Sequence, residues 1–353
     1  MRSTYFGTDR NNVMSASSEI RESFYGLGGG DVFYFYGGDG VDPDYDVSDR
    51  FFGGAGRDRL QNITLNFDGL AGLDQLARLS FDGGKGYDTL AAAITVDMTD
   101  YSAKTSDLNL AGIAPLLRSV EHREFDIKLS AIGATPEVLD IVGGALDETV
   151  FLHQSASMQA GGEIRVNLGK GDDRLEYSAD IGVDSALIVD TGRGADVVIM
   201  NASSTSYPDT FDAVIRTRGG ADTIVLEGMS SETVNAGAGN DAIYVLSGSF
   251  ADAPDVIRTG AGKDKVYLEL DSYSKLARIN DFSIEKDVIV FDTDEFRDTE
   301  VTFDRSVWKA AAEDKLYMDT DAGKLYFGDN VMVSFGGPIA LTVDNFLVDD
   351  WAF

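Results

Sequence analysis

The sequence predicts an all-β chain, a parallel β-roll or β-solenoid with Gly-Asp turns, interrupted by insertions and closed by a small carboxyl-terminal capping region. Three observations predict it. A short Gly-rich turn ending in Asp recurs along the chain, large apolar residues stand at fixed offsets on either side of it, and the flanking stretches alternate with the two-residue period of strands.

Aligned on their Asp, the turns read GLGGGDVF, GGDGVDPD, GGAGRDRL and GGKGYDTL, ending at Asp31, Asp42, Asp58 and Asp88. Later come LGKGDDRL, TGRGADVV, TRGGADTI, AGAGNDAI and TGAGKDKV, with Asp173, Asp196, Asp222, Asp241 and Asp264. All have Gly two residues before the Asp. The GAGK of the last turn is no phosphate loop, because Asp264 stands where a Ser or Thr would hold Mg²⁺ and a strand pattern follows in place of a helix.

Columns that played no part in this alignment test it. Seven residues before each Asp stand Phe24, Phe35, Phe51, Phe81, Val166, Val189, Ile215, Val234 and Ile257, all large and apolar. Two residues after it stand Phe33, Asp44, Leu60, Leu90, Leu175, Val198, Ile224, Ile243 and Val266, so only the second repeat fails. Each turn is thus flanked by strands that point apolar residues into a shared core. From Asp173 to Asp264 the turns are spaced by 23, 26, 19 and 23 residues. That suits one coil of two short strands, joined by the Gly turn on one edge and by a variable loop on the other. Successive coils about 4.8 Å apart would stack the Asp turns into a ladder.

The chain of 353 residues carries 29 Lys plus Arg against 60 Asp plus Glu, a formal charge of −31. Such a surface repels nucleic acid and acidic lipid and favours divalent cations. There is no Cys, so neither disulfides nor thiolate metal sites brace the fold, and zinc has only His122 and His153 to draw on. The amino-terminal MRSTYFGTDRNN has no apolar signal region, and no apolar run is long enough to span a bilayer. Calcium suits the turns: Gly permits the tight turn that aims carbonyl oxygens inward, Asp adds a carboxylate, and two neighbouring turns supply the six to eight oxygens that this hard cation takes. The candidate ligand turns therefore contain the nine Asp above with Gly38 and Gly40, Gly54 and Gly56, Gly84 and Gly86, Gly171, Gly192 and Gly194, Gly237 and Gly239, and Gly260 and Gly262.

These turns resemble the hemolysin-type, repeats-in-toxin (RTX) nonapeptide GGxGxDxUx. GGAGRDRL and GGKGYDTL match in full, and Leu27, Leu168 and Arg218 depart from the pattern. FYGLGGGDVFYFYGG resembles the family's tandem repeats, VDMTDYS with RSVEHREF its spacer, and LARINDFSIEKDVIVF the segment that closes many such rolls. The resemblance implies a calcium-binding β-roll. The family places motifs about nine residues apart, whereas here 11, 16 and 30 residues separate the first four Asp, which predicts a roll with insertions.

Residues 1–90 read as an amino-terminal roll opening on GTDRNN, a decayed repeat placed to cap the stack; 91–160 as an insertion or degenerate coils; 161–275 as the regular roll; and 276–353 as the carboxyl-terminal cap. Within the second region, IVGGALDETV reads as a coil ending at Asp147, and TPEVLDIV equally as a short helix capped by Thr135. SVWKAAAED is helix-like. The final LTVDNFLVDDWAF, an acidic pair followed by apolar residues, resembles the signal by which RTX proteins leave Gram-negative cells through a type I exporter. Asp42, Asp44 and Asp46 resemble the start of an EF-hand loop, but Val47 replaces its Gly, and they read as a solvated acidic loop. No HExxH or GxSxG is present.

The expectation is a non-enzymatic, secreted, extracellular or cell-surface calcium-binding structural protein, an S-layer, matrix or adhesion component that folds and self-assembles on binding Ca²⁺. The alternatives are a polysaccharide-acting lyase, hydrolase or epimerase working on a solenoid face, and a virion decoration or fibre protein.

Overall fold

The computed structural model describes residues 2–16, 21–35, 49–67, 80–98, 105–110, 117–132, 138–154, 162–179, 185–202, 212–228, 231–246, 254–269, 277–292, 301–304 and 316–349. These are strands and turns, with no α-helix among them. The chain divides into two compact units, Met1–Gly162 with Asn167–Glu176, and Glu163–Val166 with Tyr177–Phe353.

In the first unit the strands are β1 (Arg2–Phe6), β2 (Val13–Ser15), β3 (Arg21–Tyr25), β4 (Val32–Tyr34), β5 (Arg50–Gly56), β6 (Arg59–Phe67), β7 (Ser80–Gly86), β8 (Thr89–Met98), β9 (Thr105–Asn109), β10 (Leu117–Arg118), β11 (His122–Ile132), β12 (Val138–Gly144) and β13 (Asp147–Gln154). Strands β14 (Gly162–Gly169) and β15 (Arg174–Ala179) cross the division between units. The second unit continues with β16 (Ser185–Asp190), β17 (Val197–Ala202), β18 (Asp212–Arg216), β19 (Thr223–Gly228), β20 (Ser231–Asn235), β21 (Ala242–Val245), β22 (Asp255–Arg258), β23 (Lys265–Leu268), β24 (Ala277–Ile279), β25 (Val288–Asp292), β26 (Leu316–Asp319), β27 (Lys324–Phe327), β28 (Asn330–Ser334) and β29 (Phe346–Asp349).

Consecutive strands alternate between sheets, and almost all pairing is parallel, which defines a β-solenoid. In the first unit, β1, β3, β5, β7 and β10 form one sheet and β2, β4, β6, β8, β11 and β13 lie side by side in another, with β9 beside β12. In the second, β17, β19, β21, β23, β25 and β29 share one sheet, and β16, β18, β20, β22, β24 and β28 the other. The hairpin pairs β26–β27 and β27–β28 are antiparallel and end the latter sheet.

The apolar columns of the sequence are the core, except for Phe35, which is half-buried just past β4 beside Gln61 of β6 and stands outside the column that runs from Phe24 to Phe51. Phe24 pairs in register with Phe51 and Phe51 with Phe81, and all three are buried. Val189, Ile215, Val234 and Ile257 form the corresponding column of the second unit, opposite Val198, Ile224, Ile243 and Val266. Parallel, in-register stacking puts like on like. Phe24 and Phe51 therefore stack with ring centroids 5.2 Å apart, an offset arrangement that adds to the burial of the rings.

One of the two helix readings resolves. TPEVLDIV is not a short helix where it is described, since Val138–Gly144 is strand β12 paired with β9. The helix-like SVWKAAAED lies outside the described residues.

Candidate cation-binding ladders

The turns stack as the Gly and Asp spacing implies, and one kind of bond recurs from rung to rung. A backbone N–H donates to the carboxylate one coil later. In the first unit Asn12, Asp31 and Asp58 donate to Asp31, Asp58 and Asp88 at 2.8 Å, and Asp88 donates to Glu121 Oε2 at 2.9 Å. Glu148 donates to Asp173 at 2.9 Å. In the second, Asp196, Asp222, Asp241 and Asp264 donate to Asp222, Asp241, Asp264 and Asp287 at 2.9–3.1 Å. Asp42, Gly38 and Gly40 lie outside the described residues, and the ladder passes from Asp31 directly to Asp58.

Gly54, Gly84, Gly192, Gly237 and Gly260, four residues before their Asp, have φ between 94° and 105°, and Gly169 has the same conformation. Gly56, Gly86, Gly171, Gly194 and Gly239, two residues before, have φ between 126° and 152°. Gly262 holds this place in the last turn. The reason for Gly is closeness as much as φ. A Cβ on Gly56, Gly86, Gly239 or Gly262 would overlap the carbonyl oxygen of the equivalent Gly one coil earlier. These carbonyls therefore lie against the Cα of the next turn. In the second unit the Arg218 and Gly237 carbonyls also accept N–H groups of the next turn, from Ala238 at 2.9 Å and Ala261 at 2.8 Å. Leu27 and Arg218 hold the Gly conformation at φ 76° and 60°, so the departures from the motif keep its geometry under local strain.

The second carboxylate oxygen is the chemically open one. Oδ2 of Asp31, Asp58, Asp88, Asp222, Asp241 and Asp264 is buried without a hydrogen-bond donor. In the first unit these oxygens lie against the bare Cα of Gly26, Gly53 and Gly83, five residues before the Asp. The second unit has Thr191, Thr217, Ala236 and Thr259 at that place; Thr191 donates to Asp196 Oδ2 at 2.6 Å, whereas Thr217 donates to the Ala236 carbonyl at 2.8 Å. Burial pushes the Asp58, Asp222 and Asp264 carboxyls up to about 6 and Asp241 up to about 7, outweighing the N–H each receives, and it raises Asp88 too.

The residues that sequence reasoning missed are Asn12, Glu121, Glu148 and Asp287. Asn12 supplies a neutral first rung, and its Nδ2 also donates to Asp31 Oδ1 at 2.8 Å. Asp287 is the last rung, with Oδ2 accepting the Ser283 N–H at 2.7 Å. The turn before Glu121 is short. Leu117 pairs with Phe81, which stands seven residues before Asp88, yet Leu117 stands only four before Glu121. The Asp147 reading is corrected to Glu148, which is buried, whereas Asp147 is outside the ladder and accepts the Asp172 N–H at 2.9 Å.

Between Glu121 and Glu148 the ladder slips. Arg123, in an inward core position, pairs in register with Glu148 and bonds its carboxylate, with both side chains no more than 1% exposed. Its Nη1 donates to the Leu110 carbonyl at 2.9 Å. Burial lowers the Arg123 pKa and Asp173 counteracts this. Here the fold supplies a buried acid with its own cation.

The ladders fit a cation in one respect: stacked, buried, acceptor-only oxygens suit a hard ion. Among the described residues, no three acidic or His side chains converge on one point. Any ion would thus depend on carboxylates from successive rungs together with backbone oxygen. No protein-family description, curated protein or solved structure matches the chain.

Proposed function

We propose that the chain is a calcium-binding structural protein of the cell exterior, a scaffold that folds and assembles when Ca²⁺ occupies its Asp ladders. The observation that carries this is the set of buried Oδ2 atoms without donors on Asp31, Asp58, Asp88, Asp222, Asp241 and Asp264, in a chain of charge −31. An ionised carboxylate in that position needs either a proton or a cation. Asp31, Asp58 and Asp88 would hold ions in the first unit, and Asp222, Asp241 and Asp264 in the second. Each site filled at 100 times its Kd would add about 2.7 kcal/mol to folding. Extracellular-type sites, with Kd of about 10⁻⁴ to 10⁻³ M, would stay empty in a cytosol and fill outside it. This accords with assembly at a surface outside the cell.

Circular dichroism tests it. EDTA should abolish the strand spectrum and millimolar Ca²⁺ restore it, with Mg²⁺ a poor substitute. A strand spectrum indifferent to EDTA would overturn the reading.

A second reading, a polysaccharide-acting enzyme, rests on one outward patch. His122, Glu124 and Asp126 alternate with buried Arg123, Phe125 and Ile127 on β11; Arg59 bonds Glu124 at 2.9 Å and His153 lies 3.5 Å from Asp126. Cleavage of an acidic polysaccharide that His153→Ala abolishes would promote that reading over the scaffold.

A further inference from the structure

The first coil is built differently from the last. Among the described residues, strands β1 and β2 are both outermost in their sheets, paired only with β3 and β4. Apolar side chains gather there: Tyr5 is 44% exposed, Phe6 70% and Val13 71%. Tyr5 stacks on buried Phe24 at 5.0 Å and Phe6 on Tyr25 at 5.1 Å, so the inner and outer aromatic columns of this sheet both run out at an uncovered end. In the second unit the equivalent sheet ends in the β26–β28 hairpin, and Thr302 bridges to Tyr317 of its outermost strand. A solenoid needs such covers, because an open parallel edge exposes both core and backbone hydrogen-bonding groups.

We infer that the cover of the first coil is the first coil of a second copy of this chain, giving a closed two-fold dimer in which β1 and β2 each gain an antiparallel neighbour. Three features select that occupant. Residues 2–16 hold two Arg against one Asp, in a chain of charge −31, so this is a place where two copies approach without the repulsion that separates them elsewhere. The ladder is uncharged at this end, since Asn12 occupies the Asp position. The strand is also self-complementary: an antiparallel register centred on Thr4 sets Ser3 opposite Tyr5 of the second copy, and neither is charged. A two-fold contact buries both patches at once and closes. The inference deepens the assembly part of the proposed function and does not depend on calcium being the ladder's ion.

Sedimentation at tens of micromolar protein, in calcium buffer, should show a dimer that Phe6→Glu with Val13→Glu converts to one chain without change in the circular dichroism spectrum. Val343→Lys with Leu347→Lys, at the exposed β29 end, should leave the dimer intact. The absence of Cys makes a second measurement clean. Thr4→Cys should give a disulfide-linked dimer on mild oxidation, since antiparallel neighbours stand about 4.5–5.5 Å apart at Cα, within disulfide reach; Asp329→Cys, on an exposed turn, should not. A folded, calcium-loaded monomer, an open polymer, or equal cross-linking of the two Cys variants overturns the dimer. Folding indifferent to EDTA overturns the calcium reading alone.

Discussion

The two units carry the same ladder over different floors. In the first, the residue five before each Asp is Gly26, Gly53 or Gly83, and the open carboxylate oxygen rests on a bare Cα; in the second, Thr191 gives Asp196 a hydroxyl at 2.6 Å. The cores differ in parallel, with Phe24, Phe51 and Phe81 in one and Val189, Ile215, Val234 and Ile257 in the other. The difference teaches that the ladder is two systems in one. The N–H to Oδ1 chain is structural and common to both units, whereas what Oδ2 meets is a local choice among glycine, hydroxyl and guanidinium.

The largest expected effect tests the guanidinium. Arg123→Met should destabilise by about 3–5 kcal/mol, because it leaves Glu148 charged and buried without its partner, and Arg123→Met with Glu148→Leu should recover most of that loss. Equilibrium urea unfolding measures both. If the single variant is as stable as the parent, Glu148 does not need its cation, and the demand for one elsewhere in the ladder weakens.

The next concerns pH. Asp58, Asp222, Asp241 and Asp264 have folded pKa values raised to about 6 or 7, above the unfolded carboxylate range near 4. Their protonated form therefore favours folding. That contribution is complete below pH 4 and is lost as pH rises through 6 to 7. The EDTA-treated chain, if it folds at acidic pH, should melt lower at pH 8 than at pH 5. Calcium, which binds the ionised form, should remove or reverse the slope. A melting temperature that rises from pH 5 to 8 without calcium would contradict the burial of these carboxylates.

The smallest effect sits in the turns. Leu27→Gly and Arg218→Gly should each stabilise by about 1 kcal/mol by relieving positive φ, less whatever the unfolded chain gains in freedom. Arg218 also bonds Asp190, so its gain should be the smaller of the two. Thermal melts at matched calcium resolve the pair.

Much of this was legible in the sequence because a stacked fold repeats its physics. The columns that begin at Phe24 and Phe33 are readable from spacing alone, and apart from Phe35 their described members are buried. The same columns would also have found Glu148, with Ile141 seven before it and Val150 two after, where Asp147 has Asp140 and Thr149. The Asp147 beside it masks a rung whose acid is Glu. Glu121 was beyond such reading, since its turn is shortened and its inward residue is Arg123. Asp287 follows a turn without Gly, SIEKD, which the motif could not register. The direction of the carboxylates was not readable either. Spacing says that Asp residues stack, but not that one oxygen of each would be held by the preceding coil's amide.

That last arrangement gives the stack a polarity. From Asn12 to Asp88, and again from Asp196 to Asp264, each rung passes its N–H forward to the carboxylate of the next, so the two ends are chemically unlike: the first rung lacks a donor upstream and the last lacks an acceptor downstream. The chain meets the first need with an amide side chain at Asn12 and the second with a local turn, in which the Asp287 N–H returns to the Ser283 carbonyl at 2.8 Å. Interior coils are interchangeable in this sense and terminal ones are not. A family of such proteins would lengthen or shorten by whole coils from the middle, while the two terminal turns travelled as fixed and separate endings.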